Sequence, residues 1–113
     1  MQITEYAHDG VLVLAVSGRL NSYSRKVFQA VMKNAERTIA NHVVVNLEAV
    51  EYLDSVALGL LVLSQANLSL KGIEMSLVGP RGPVKEILEM ANIPQLIPVY
   101  SSLDEAIGLP AAV

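Results

Sequence analysis

No cysteine occurs among the 113 residues. Disulfides and thiolate metal ligands are thereby excluded, and the chain carries no redox mark of its compartment. Tryptophan is also missing, and the aromatic set is four Tyr and one Phe, too few for the stacking platforms on which nucleic-acid bases rest. Cations are scarce. Eight Lys and Arg stand against eleven Asp and Glu, a formal net charge of -3, and along the sequence they form no cluster of the kind that grips phosphate backbones. Nucleic-acid binding is therefore not expected. Apolar runs are short: Val56 to Leu63 is the longest, far below the roughly 20 residues needed to cross a bilayer. The opening "MQITEYAHDG" lacks the basic and apolar regions of a signal peptide. The expectation is a cytoplasmic protein with no direct membrane insertion.

What is present is core material. A hydrophobic fraction of 52% against 17% charged argues against long disordered segments, and the length fits a single domain over residues 1–113. Ile3 to Tyr6 and Val11 to Ser17 read as strands joined by a turn at Asp9-Gly10, whose residues suit positive φ. From about Ser24 the apolar residues Val27, Phe28, Val31, Ala35 and Ile39 recur at helical spacing, with Ser22 or Ser24 as cap. "HVVVNL", His42 to Leu47, reads as a buried strand. A helix over Val56 to Leu70, a strand over Glu74 to Val78, and a helix from Pro83 to Ala91 follow. "IPQLIPVY" then reads as a Pro-interrupted edge strand, and Leu103 to Ile107 as a closing helix behind Ser101 or Ser102. Strands alternating with helices predict an α/β fold: a mixed sheet of four to five strands with about four helices. The Val56–Leu70 helix is expected to be mostly buried, packing through Leu60, Leu61 and Leu63 or their neighbours.

Candidates for catalysis are weak. His8 and His42 have no metal-ligand spacing and read as solvated or structural histidines, so no metal and no cofactor is implied. "GPRGP", Gly79 to Pro83, lacks the G-K-[ST] ending of a phosphate loop, and its prolines remove amide donors, so it reads as a turn. Ser55 lies outside any G-x-S-x-G elbow, between Leu53-Asp54 and Val56-Ala57, which argues against a hydrolase nucleophile. No catalytic residue is assigned.

One stretch does invite a functional reading. In "EYLDSVALGLLVL" an Asp and a Ser stand in front of eight residues without a polar side chain. Asp54 suits the position that caps a helix, because its carboxylate can accept a bond from an orphan backbone N–H. Ser55 then falls in the first helical turn, with its hydroxyl at an accessible end. A phosphoryl group there would add about -1.5 to -2 charge at pH 7, favoured by the helix dipole and opposed by Asp54. The alternative is a serine that only starts a helix.

The order of segments resembles a known family. From "VLVLAVSGRLNSYS" through "HVVVNLEAVEYLDSVALGLLVL" to "KGIEMSLVGPRGPVKEILEMANIPQLIPVYSSLDEAI", the chain is similar to the STAS domain, typified by bacterial anti-sigma factor antagonists. In that family a strand leads to a D-S-S-G-L-type motif whose first Ser is phosphorylated. The resemblance implies Asp54 as the motif's Asp, Ser55 as its phosphorylatable Ser and Leu58 as its Leu. Val56 and Ala57 stand where the family has its second Ser and Gly, and Asn21 in "GRLN" stands where it often has Asp.

The function implied by this resemblance is that of an anti-sigma factor antagonist in a partner-switching pathway, not an enzyme. It would bind an anti-sigma factor/serine kinase when Ser55 is unphosphorylated, release it when phosphorylated, and be restored by a PP2C-type phosphatase. The partner-binding residues expected are Asn21, Ser22, Asp54, Ser55 and Val56, with the loops holding Asn21 and Ser55 at one edge of the sheet. The alternative is a constitutive STAS adaptor subunit of a larger assembly such as a lipid-transport ABC system.

Overall fold

The computed structural model describes residues 1–108. Strands β1 (Gln2–His8) and β2 (Val11–Leu20) form a hairpin about Asp9 and Gly10, both at positive φ. Helix α1 (Arg25–Ala35) carries the chain to β3 (His42–Leu53), and α2 (Ser55–Leu70) to β4 (Glu74–Val78). Helices α3 (Gly82–Met90) and α4 (Ile93–Leu96) precede β5 (Val99–Tyr100), and α5 (Leu103–Ala106) follows it. The five strands lie in the order β1-β2-β3-β4-β5. β1 is antiparallel to β2, and every other pairing is parallel.

Alternation along the strands divides the sheet into two faces. Leu14, Val16, Val43, Val45, Leu47, Met75 and Leu77 pack under α1 to α4, whose inward residues include Phe28, Met32, Leu61, Leu68, Val84 and Leu88. On the other face Val11, Val13, Val44 and Val78 meet Ala106 of α5. His42 is buried on this face, its Nε2 2.7 Å from the Ser76 Oγ. Burial disfavours the imidazolium and holds the His42 pKa below the usual 6.5, while Glu74 partly opposes the shift.

Several boundaries differ from the sequence expectation, each for a local reason. β3 does not stop at Leu47 but runs on to Leu53, because β2 continues to Leu20 and the two remain paired through Leu20 and Leu53. Register shifts between Ala15 and Ser17 and between Gly18 and Arg19 disturb the two-residue period. Val50 and Leu53 are therefore buried while Glu48, Ala49, Glu51 and Tyr52 are exposed, a pattern that resembles a loop. Helix α1 ends at Ala35 as the N–H groups of Glu36, Arg37 and Thr38 turn to the third carbonyl back, so Ile39 lies beyond it, fully exposed. Val27 is exposed as well, and Met32 takes the core place.

Helix α2 is buried along one stripe only: Ala57, Leu61, Ser64 and Leu68 face the core, whereas Leu63 is 52% exposed. Nor does "IPQLIPVY" form one strand. Asn92 turns in the left-handed region, and Pro94 falls in the first turn of α4, where an N–H is not needed. Only Val99 and Tyr100 remain to pair with Leu77 and Val78.

Candidate functional site

The parallel pairing of β2 and β3 decides which loops meet. Leu20 and Leu53 are register partners at the ends of their strands, so the segments that follow leave the sheet side by side at its carboxyl edge. The Asp54 N–H donates to the Leu20 carbonyl at 3.2 Å. Its side chain then binds in two directions. Oδ1 accepts the Ala57 N–H at 3.0 Å, which is the cap that an Asp at this place promises. Oδ2 accepts the Ser22 N–H at 3.2 Å, from a residue 32 positions earlier. One carboxylate thus caps α2 and fastens the β2–α1 loop to it.

Ser55 opens α2 and is exposed, with Val56 beside it at 37% exposure. The amides of Ser55 and Val56 have no carbonyl four residues back within the helix, so the dipole's positive end is presented around the Ser55 hydroxyl. This surroundings tolerates added negative charge, although the Asp54 carboxylate stands adjacent.

Asn21 lies half-buried and is engaged within its own loop. Its Oδ1 accepts the N–H groups of Tyr23 and Ser24, at 3.0 and 3.3 Å, a local turn of the kind Asn favours. Ser22 is exposed. Ser24, at the start of α1, does not cap it: its Oγ accepts the Asn21 N–H and lies 3.1 Å from the carbonyl oxygens of Arg19 and Asn21. The structure therefore brings Asn21, Ser22, Asp54, Ser55 and Val56 to one edge, with Asp54 as the direct link.

Sequence reasoning missed two neighbours of this edge. The Arg19 guanidinium lies over the Tyr52 ring, 4.5 Å from its centroid, a stack that exists only because β3 continues to Leu53. Tyr23 is 95% exposed and lines an open depression of about 460 Å³ with Met1, Gly18, Arg19 and Val27. Its signal was a lone aromatic in a polar loop. The "GPRGP" stretch forms the turn expected of it: Gly79 takes a positive φ after β4, and Arg81, 3.9 Å from Glu48, precedes α3.

The fold and its edge define a small α/β domain that presents an exposed serine at the start of a helix capped by Asp54. The chain belongs to the STAS domain family, whose model matches residues 2–106. It is 28% identical to the anti-sigma F factor antagonist of Paenibacillus polymyxa, over 90% of this chain and 88% of that one. Its fold is similar to that of an anti-sigma factor antagonist from Mycobacterium paratuberculosis, with a TM-score of 0.86, 26% identity, and coverage of 95% of this chain and 91% of that one. It is also similar to the anti-sigma factor antagonist SpoIIAA of Bacillus in its unphosphorylated form. There the TM-score is 0.79 at 17% identity, covering 94% and 93% of the two chains. Among the described residues no helix is long and apolar enough to cross a membrane.

Proposed function

We propose that this protein is an anti-sigma factor antagonist whose binding is controlled by phosphorylation of Ser55. In its unmodified form it binds an anti-sigma factor that is also a serine kinase; phosphorylation releases that partner, and a PP2C-type phosphatase restores binding. Asn21, Ser22, Asp54, Ser55 and Val56 form the heart of the contact. The observation that carries this reading is the exposed Ser55 at the first position of α2, next to a carboxylate already committed to Ala57 and Ser22. The protein acts by association, not by turnover, inside the cytoplasm where its partners reside.

The chemistry gives the direction of control. A contact built on neutral Ser55 and apolar Val56 has to desolvate a phosphate lying beside Asp54 once Ser55 is modified. Without a matched cation such burial costs several kcal/mol, and about 1.4 kcal/mol already lowers affinity tenfold. The test is to incubate the purified protein with ATP and each anti-sigma factor kinase encoded in the same genome, then to map the product by mass spectrometry. Phosphate on Ser55 alone is expected. Phosphate on other serines with Ser55 untouched would contradict the assignment, and no phosphate with stable binding would favour a constitutive adaptor.

A further inference from the structure

No run of consecutive cations marks the sequence, yet positive charge is concentrated in and around α1. Arg19, Arg25, Lys26, Lys33 and Arg37 are five of the eight Lys and Arg, and the same stretch holds only Glu36 of the eleven Asp and Glu. Glu36 is occupied by Lys71, 3.7 Å away. Arg25, Lys26, Lys33 and Arg37 are exposed, and none of them forms an ion pair among the described residues. With Phe28, Met32 and Ala35 turned into the core, Lys26 and Lys33 lie two turns apart on the outward side of α1, separated by roughly 10 Å along its axis.

Two of these cations stand where helix physics disfavours them. Arg25 and Lys26 occupy the first turn of α1, at the positive end of the helix dipole, and that turn has neither an acidic residue nor a side-chain cap. A helix selected for stability alone would carry Asp or Glu there. Local rules broken without a compensating contact are expected at functional surfaces. Beside them Tyr23 and Val27 are exposed by 95% and 55%, and aromatic and Arg side chains together are the residues enriched where protein interfaces concentrate their binding energy. The Asp54–Ser22 hydrogen bond makes this surface continuous with the Ser55 edge.

We infer that the outward face of α1 is a second part of the docking surface, one that selects a partner presenting acidic side chains around an apolar recess for Tyr23 and Val27. The inference rests on the proposed function for the identity of that partner, an anti-sigma factor. Long-range attraction toward α1 speeds encounter and orients it, while Ser55 decides whether the complex persists. A protein partner suits this surface better than a lipid bilayer or nucleic acid, because the remainder of this acidic chain repels both polyanions.

The experiment measures association and dissociation rates of the purified anti-sigma factors encoded in the same genome with the native protein, the double variant Arg25→Glu/Lys26→Glu, Lys33→Glu and Ser55→Asp, with thermal melts of each. The double variant is expected to melt at or above the native temperature, since acids replace cations at the dipole's positive end, yet to associate at least about tenfold more slowly at low salt. The difference should shrink near 1 M salt, where screening acts within about 3 Å. Unchanged association in the double variant, with Ser55→Asp still weakening binding, overturns this inference and leaves the proposed function standing. Slowed association in the double variant, with no effect of Ser55→Asp, sustains the α1 surface and removes the Ser55 switch. Phosphatidylglycerol vesicles, duplex DNA and self-association are measured in parallel. If the reversals abolish one of these and spare the anti-sigma factor, the surface belongs to that occupant and the inference fails.

Discussion

Asp54 does more than the cap legible from its place in "LDSVA". The cap is a local matter, an oxygen reaching the N–H three residues on, and the sequence is sufficient to predict it. The bond to Ser22 depends on β2 and β3 ending in register after 32 intervening positions, which no local pattern contains. Asp54→Ala is expected to cost about 1 kcal/mol for the lost cap and to loosen the β2–α1 loop. Asp54→Asn, which retains an accepting oxygen, should cost less; urea unfolding of the three proteins compares them. His42 offers a second test. Its folded-state pKa lies below 6.5 through burial, so the unfolded chain takes up the proton first. The His42 contribution to stability is thus fully present above about pH 6.5 and is lost as pH falls toward the lowered folded value. Native protein should lose stability on acidification faster than His42→Gln in unfolding series at successive pH values. Parallel slopes would place the acid sensitivity elsewhere.

Among the elements, legibility followed periodicity. The sequence predicts β4 with both its boundaries, and α2 to within one residue, because an apolar segment is bounded by Gly, Pro or a capping Asp. The inward face of α2 was not readable, since Val56 to Leu63 is apolar on every side and gives no phase. The structure supplies that phase by burying Ala57, Leu61, Ser64 and Leu68. Leu61→Ala should therefore destabilise by about 2 to 5 kcal/mol, the range for a buried leucine. Leu63→Ala, at a position 52% exposed, should cost well under that. Calorimetric melts that ranked Leu63 above Leu61 would contradict the packing described. Proline chemistry explains the other difference: in sequence Pro94 reads as the interruption of a strand, whereas its missing N–H suits the start of α4 equally well.

At the scale of the whole molecule, the order of strands and helices carried the fold class, and the D-S pair before an apolar helix carried the candidate site. The share that escaped the sequence was three-dimensional: the length of β3, and the linkage of two loops by one carboxylate. A rigid sheet with a serine at its edge is suited to a change of surface charge without a change of fold. Ser55 lies outside the core, so phosphorylation should alter binding far more than melting. The most direct measurement is titration calorimetry of the anti-sigma factor kinase with native protein, Ser55→Ala, Ser55→Asp and the Ser55-phosphorylated form, each checked by melting. Ser55→Ala should bind at least as tightly as native, and the Asp and phosphorylated forms at least about tenfold more weakly, all with similar melting temperatures. Equal affinities across the four would contradict the switch.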